Sequence, residues 1–307
     1  EKFMFSIDEY KNIFKEGKIG EVLYMEPMKN HTTFRIGGPC DVMILPSTEE
    51  EIIAALKIIK DNNLDYMIIG NGSNLLVRDK GLRKVVIKLH DNFPYVEVDG
   101  LHVKAQAGAL LSTVSKTAMK KGLTGMEALS GIPGDIGGAV TMNAGAYGTE
   151  IKDVVLFVKA IDKDLNIRIF NNEEMNFRYR NSKVQDDSLV VLETLFKLKK
   201  GDKEEIESLF KDVTYKRTSK QPLEYASAGS TFKRPTGYFA GKLIDDSGLR
   251  GYRYKDAQVS EKHCGFVINR GNANFEEVHT LIEHVQEVVY KNYGVKLETE
   301  VKIIGEE

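Results

Sequence analysis

The sequence predicts an α+β fold, mixed rather than doubly wound. Helical and strand patterns alternate along most of the chain, which gives both element types. The middle third, however, contains strand patterns folded back on each other around tight turns, the mark of antiparallel sheet. A third observation is SGIPGDIGGAVTMNAGAYG, Ser130 to Gly148, with six glycines and no charge except Asp135. Glycine loses the most conformational freedom on folding, so this run needs a local reason.

In chain order, EKFMFSIDEYKNIF spaces Phe3, Ile7, Tyr10 and Phe14 as one face of an amphipathic helix. HTTFRIGGPCDVMILP predicts a glycine turn and a strand over Val42 to Leu45. Ser47 and Thr48 offer N-cap oxygens to IIAALKIIK, with Glu49, Glu50 and Glu51 in its first turn. DYMIIG reads as a buried strand ending at Gly70, and a short strand follows at Val85 to Leu89. YVEVDGLHVKAQAG is a hairpin pattern around Asp99-Gly100. A helix from Leu110 to Lys121 is stopped by Gly122 in the C′ position. VVLFVKAIDKDLNIRIF is a second hairpin pattern, and LVVLETLFKLKK a long strand. DKEEIESLFKDVTYKR is a helix that opens a third unit near Gly201. A short helix at Ala240 to Asp246, a strand at Gly265 to Asn269, a helix from Phe275 to Lys291 and a last strand, VKLETEVKII, complete the chain.

At 307 residues there is length for two or three domains. A net charge of −2 carries no electrostatic footprint for nucleic acid or membrane surfaces. The opening stretch lacks the cationic and apolar regions of a signal peptide. The only cysteines, Cys40 and Cys264, exclude a disulfide framework. The expectation is a cytoplasmic protein.

GNGSNLL, from Gly70, follows a strand but fails the dinucleotide fingerprint, because Leu75 stands at the third glycine position. It is either a plain tight turn or one that aims amide groups at a phosphate. In the long stretch, Gly131, Gly134, Gly137 and Gly138 surround Pro133 at spacings that predict extended irregular backbone. Ile132, Ile136, Val140 and Met142 predict that it is buried, where its polar groups require partners. A ligand with phosphates would supply them, and a structural glycine corner is the alternative.

Metal and nucleophile patterns are absent. His279 and His284 are five apart, about 140° around a helix, and neither H-E-x-x-H nor G-x-S-x-G occurs. Taken singly, Ser230 in AGSTFKRP is a turn serine and Arg180 in FRYRNS a solvated strand-edge charge. Glu300 shares the solvent face of VKLETEVKII with Glu298, while Val295, Leu297, Thr299, Val301 and Ile303 take the other.

Seven ordered motifs change that reading. HTTFRIGG, GNGSNLLV, SGIPGDIGGAVTMNAGAYG, YRNS, SKQPLEYASAGSTFKRP, VSEKHCGFVIN and ETEVKIIGE together resemble the UDP-N-acetylenolpyruvoylglucosamine reductases (MurB), over nearly the whole chain. The resemblance implies a two-subdomain FAD-binding fold of the PCMH, or vanillyl-alcohol-oxidase, type, followed by a C-terminal α+β substrate-binding domain. The implied boundaries are 1–80 for the first FAD-binding subdomain, joined by the last strand at 296–307, then 81–200 for the second and 201–295 for the substrate domain.

It also implies an oxidoreductase of peptidoglycan precursor synthesis, a UDP-N-acetylmuramate dehydrogenase that serves cell-wall growth, shape and division. FAD is bound without a covalent link and NADPH is the co-substrate. Hydride passes from NADPH to the flavin, then from flavin N5 to C3 of the enolpyruvyl ether of UDP-N-acetylglucosamine enolpyruvate. By the resemblance, Asn71, Gly72, Ser73 and Asn74, with Gly131, Ile132, Pro133, Gly134, Gly137 and Gly138, contact FAD, and Asn143 and Gly145 lie in the same wall. Arg180 holds the substrate carboxylate, Ser230 protonates C2, and Glu300 polarises the enolate or shares its proton. Tyr147, Tyr179, Lys220 and Arg234 lie near the UDP-sugar. No metal, nucleic acid or membrane partner is implied, and the expected state is a monomer.

Two departures stand out. Only fifty positions separate Arg180 from Ser230, with no room for the substrate-covering tyrosine loop of the longer family type. Lys302 stands where arginine is frequent, and the two are not equivalent toward phosphate. The rival readings are an FAD oxidase of the wider superfamily and a non-catalytic binder on the same fold.

Overall fold

The computed structural model describes residues 5–307. Phe3, placed by its spacing on the first helical face, lies outside them. The chain divides into two compact units. One comprises the chain up to Tyr24, Val42–Asn71 and Lys84–Lys216, and the other Met25–Asp41, Gly72–Arg83 and Arg217–Glu307. A four-stranded sheet runs in the order Glu21–Pro27, Pro39–Leu45, Leu82–Lys88, Tyr66–Ile69.

In the first unit the opening helix, Ile7–Phe14, begins with a capping box: Ser6 Oγ accepts the Glu9 amide and Glu9 accepts that of Ser6. The helix Glu49–Asp61 is capped by Thr48, whose hydroxyl accepts the Glu51 amide at 3.1 Å. It buries Ile52, Ala55, Leu56 and Ile59, the i, i+3, i+4, i+7 stripe of an amphipathic helix. The strand Tyr66–Ile69 pairs in parallel with Val85 to Lys88, completing a β-α-β unit. The antiparallel part is a five-stranded sheet in the order Ile167–Asn171, Val155–Ile161, Val190–Lys197, His102–Gln106, Val96–Asp99. Both expected hairpins form. In the first, Asp99 faces His102, so the two-residue loop is Gly100-Leu101, one position later than the Asp-Gly pattern placed it. The helix Leu111–Lys120 ends as expected, with Gly122 at φ 70° after the cap Lys121.

The glycine-rich stretch corrects the sequence reading. Irregular backbone was expected throughout, yet Ile136–Thr141 is an α-helix that includes Gly137 and Gly138. Tertiary contacts override the poor helix propensity of glycine here. The Ile136 and Gly137 amides donate to Ala109 and Ala107 at 2.8 and 2.9 Å. A carbon added at Gly137 would sit 3.1 Å from the Ala107 methyl, so the helix lies closer to its neighbour than a side chain allows comfortably. Of the four apolar residues expected inside, Ile136 and Val140 are buried in the unit's core beside Ala139, while Ile132 and Met142 are only half-buried.

The second unit is built on a four-stranded sheet in the order Ala226–Ser227, Val267–Asn269, Ala257–Val259, Arg253–Tyr254. The helix Phe275–Tyr293 packs on it through Val278, Leu281, Ile282, Val285 and Val289. Asn274 caps its start and Gly294, in the left-handed conformation, ends it. The helix Ala240–Asp246 lies where the sequence places it. The terminal strand is shorter than its alternating pattern: only Lys302–Ile304 is strand, paired in parallel with Leu75–Val77. The preceding residues keep the alternation, with Leu297 and Val301 buried, but pair only through an isolated bridge between Phe232 and Thr299.

Candidate active site

In the first unit, the glycine-rich stretch enters from Glu127, a buried carboxylate that accepts the Thr124 hydroxyl at 2.5 Å and the Gly125 amide at 2.7 Å. The Gly134 carbonyl accepts the Leu111 amide at 3.0 Å, and the Asn71 side chain reaches the Pro133 carbonyl at 2.6 Å. The run is thus held through carbonyls as well as through the Ile136 and Gly137 amides. Other donors are left over: among the described residues the amides of Gly131, Gly134 and Gly138 meet no acceptor. Orphan amides carried on residues without side chains are a donor set suited to a phosphate group.

Asp135, inside the stretch, has a fully buried side chain whose two oxygens lie 2.8 and 3.0 Å from His90 Nδ1. Burial pushes its carboxyl above the ordinary range, and the contact with His90 pulls in the opposite direction. No sequence signal marked this pair.

The stretch leads directly to the arginine turn. Arg178 and Asn181 exchange backbone hydrogen bonds at 3.0 and 3.1 Å, leaving Tyr179 and Arg180 as the two-residue tip. Arg180 has φ 53°, and Asn143 and Tyr147 have φ 43° and 50°. Left-handed backbone on bulky residues is uncommon and concentrates at functional sites. The carbonyl of Thr141, at the end of the glycine helix, accepts from Ser182 Oγ at 2.9 Å and Gln185 Nε2 at 3.1 Å. Gln185 also donates to the Arg180 carbonyl at 3.1 Å. Arg178 forms a two-pronged pair with Asp186, at 2.9 and 2.6 Å. Glycine helix and arginine turn are therefore one hydrogen-bonded assembly.

Asn143, expected in the cofactor wall, is completely buried, with both ends of its amide engaged. It donates to the Arg178 carbonyl at 3.3 Å and accepts from the Lys152 amide at 3.1 Å. Gly145 has its own packing reason, since an added carbon would lie 2.8 Å from Glu150 Cγ across a small hairpin. Tyr147, at the tip of that hairpin, is half exposed, with the Lys216 ammonium 5.8 Å from its ring. Tyr179 is also exposed, and the Arg180 guanidinium lies 5.2 Å from its ring centre.

In the second unit, Gly72 takes φ 63°, and an added carbon would collide with the His31 carbonyl oxygen, so this position admits only glycine. Asn74 donates to the Glu300 carbonyl at 3.2 Å, and its own carbonyl accepts the Lys302 amide at 2.9 Å. The Glu300 amide in turn donates to Thr231 at 2.8 Å, beside Ser230. Ser230 and Glu300, distant in sequence, are thus brought onto neighbouring backbone, with Ser230 exposed and Glu300 partly buried. Thr231, which the sequence reading passed over, is the fixed point: its amide donates to Gly265 and its buried hydroxyl accepts the Val267 amide at 2.9 Å.

Lys220 is exposed at the end of the helix Lys203–Lys220. The Arg234 guanidinium lies 4.1 Å above the ring of Phe239, which is itself exposed. Arg180, Tyr179, Tyr147, Asn143 and the long glycine stretch belong to one unit, and Ser230, Glu300, Lys220, Arg234 and Gly72–Asn74 to the other. Among the described residues no cluster of His, Cys, Asp and Glu could hold a metal ion, and no helix is long and apolar enough to cross a membrane.

The α+β architecture and the amide-lined glycine stretch define a flavoprotein: residues 40–169 match the model of the FAD binding domain. Residues 221–304 match the UDP-N-acetylenolpyruvoylglucosamine reductase C-terminal domain. The chain is similar to the reductases of that name from Clostridioides difficile, 49% identical over 98% of this chain and 99% of that one, and from Caldanaerobacter subterraneus, 50% identical over 98% of each. The crystal structure of the MurB reductase of Thermus caldophilus superposes with a TM-score of 0.80 at 36% identity, covering 92% of this chain and 98% of that one. The chain belongs to the UDP-N-acetylenolpyruvoylglucosamine reductase family.

Proposed function

We propose that the chain reduces UDP-N-acetylglucosamine enolpyruvate to UDP-N-acetylmuramate, with FAD as cofactor and NADPH as reductant. The observation that carries this reading is its similarity to reductases of that name along nearly its whole length, with FAD-binding and reductase-specific regions on one chain. Bound FAD would supply hydride transfer from NADPH to the enolpyruvyl carbon, chemistry beyond any side chain.

The rest falls to the chain's own residues. The amides of Gly131, Gly134 and Gly138 fit the FAD diphosphate, with Asn71 holding the Pro133 carbonyl between them. Gly72, Ser73 and Asn74 supply further contacts to the cofactor. Arg180 holds the substrate carboxylate with its planar fork, offsetting the charge that grows there as hydride arrives. Ser230 delivers the proton to C2, and Glu300 polarises the same group or shares its proton. Tyr147, Tyr179, Lys220 and Arg234 receive the UDP-sugar, and 201–295 is the substrate-binding region. The setting is the cytoplasmic synthesis of peptidoglycan precursor, and the working state is a monomer.

The test is product analysis. Incubation with NADPH and the enolpyruvyl sugar nucleotide should yield a product heavier by two hydrogen atoms, with one NADPH consumed per product. Hydrogen peroxide formed in place of that product would move the assignment to an oxidase.

A further inference from the structure

Asp135 presents a problem for a phosphate-binding loop. It is the only charge between Ser130 and Gly148 and sits in sequence between two glycines whose amides meet no acceptor, Gly134 and Gly138. Its side chain is fully buried, so water cannot screen it. It is also built in: a carbon added at Gly70 would lie 2.6 Å from Asp135 Oδ2, so the preceding strand ends in glycine to make room for it. Beside Gly70, Asn71 grips Pro133, so the carboxylate lies where the turn and the stretch meet.

We infer that His90 is a positioning residue for FAD: its imidazole compensates the buried Asp135 carboxylate and so allows the surrounding amides to accept a diphosphate. The inference rests on the reading of Gly131–Gly138 as the diphosphate cradle. His90 Nδ1 contacts both oxygens of Asp135, at 2.8 and 3.0 Å, and His90 Nε2 lies 3.2 Å from Asp91 Oδ2. Both ring nitrogens thus face carboxylate oxygens, an arrangement in which each N–H of an imidazolium finds an acceptor. The other charged groups near Asp135 are Asp91, which is well exposed, and Lys88. Removing one partner of a buried pair is far more costly than removing both, because it strands the other charge. Here the stranded charge would also repel the ligand.

The test uses the full chain, stripped of flavin and titrated with FAD by quenching of flavin fluorescence, with apoprotein melting measured alongside. At about pH 8, His90→Gln should weaken FAD binding by at least about tenfold. The deficit should shrink as pH falls and Asp135, raised by burial, takes up a proton. His90→Lys, which supplies a cation at that position, should recover part of the loss. The double variant His90→Gln/Asp135→Asn leaves no buried charge, and it should bind within about threefold of wild type. It also covers the case in which the single variant does not fold. A His90→Gln protein that binds FAD like wild type, or a double variant no better than the single, overturns the inference. Wild-type chain that binds no FAD overturns the cradle reading itself, and the inference with it.

Discussion

The backbone amide of Glu300 donates to the carbonyl of Thr231 at 2.8 Å, and this one hydrogen bond brings the end of the chain alongside Ser230. The neighbouring bond from the Lys233 amide to the Glu298 carbonyl, also 2.8 Å, makes the two segments a short antiparallel pair. Asn74 closes the arrangement from the other side by donating to the Glu300 carbonyl. The proposed proton donor and its carboxylate partner are therefore positioned by main chain, which side-chain substitutions at either residue leave in place.

That geometry makes Ser230→Ala a clean chemical probe. The protein should fold, bind FAD and oxidise NADPH as before, while reduction of the enolpyruvyl substrate falls by about 10²–10⁴-fold, the usual worth of a positioned acid. Stopped-flow traces of the two half-reactions separate these effects. Wild-type turnover in the second half-reaction would remove the serine from the chemistry.

Asn143 should behave as a structural residue at a functional address. Alanine there leaves the Lys152 amide without its partner and the Arg178 carbonyl with the Asn181 amide alone, in a site closed to water, at a cost of about 1–3 kcal/mol. Urea denaturation should show a lower midpoint, accompanied by a raised KM, because the same amide braces the turn that carries Arg180. Unchanged stability with weakened FAD binding would mean instead that the amide serves the cofactor.

The two thiols should be inert in the native protein. Burial pushes Cys40 up to about 12, which leaves roughly one molecule in ten thousand as thiolate at about pH 8. Cys264 is raised by burial as well. A disulfide-exchange reagent should therefore register no fast thiol until the protein is unfolded, and then two. A thiol titrating within seconds in the folded state would contradict the burial of whichever cysteine reacts.

Acid should weaken the second unit through His263. Burial, assisted by the nearby charges of Arg250 and Lys220, holds this imidazole below its ordinary value, and its Nδ1 accepts the Gly265 amide at 3.1 Å. The unfolded chain thus takes up a proton at a higher pH than the folded one. The stability this neutral ring contributes is present above the ordinary histidine value and is lost as pH falls from about 6.5 through the depressed folded value. Melting temperatures across that window should fall for wild type and fall less for His263→Asn. Parallel slopes would remove His263 as the cause.

The features read correctly from sequence are those whose physics is local. Thr48 ahead of three glutamates, Gly122 after its helix, and the first hairpin, displaced by one position, each depend on a few adjacent residues. The glycine helix was missed because its cause is tertiary: the alanines at 107 and 109 accept its first amides, and Ala107 crowds any side chain at Gly137. His90 with Asp135 and Thr231 with Glu300 are pairs remote in sequence, and no spacing rule links them. Glu300 alone reads as a surface charge, and only the ordered set of motifs makes it a candidate. The terminal alternation correctly separated Leu297 and Val301 from Glu298, but it overstated the strand, because pairing needs a neighbour as well as a pattern.

The central claim is that this chain passes electrons from NADPH through FAD to the enolpyruvyl sugar nucleotide. It is tested most directly by following the flavin absorbance of the purified protein without oxygen. The account predicts a flavin band that NADPH bleaches and that UDP-N-acetylglucosamine enolpyruvate then restores, mole for mole. A band that NADPH bleaches but that only oxygen restores would contradict it, as would a protein that takes up no FAD.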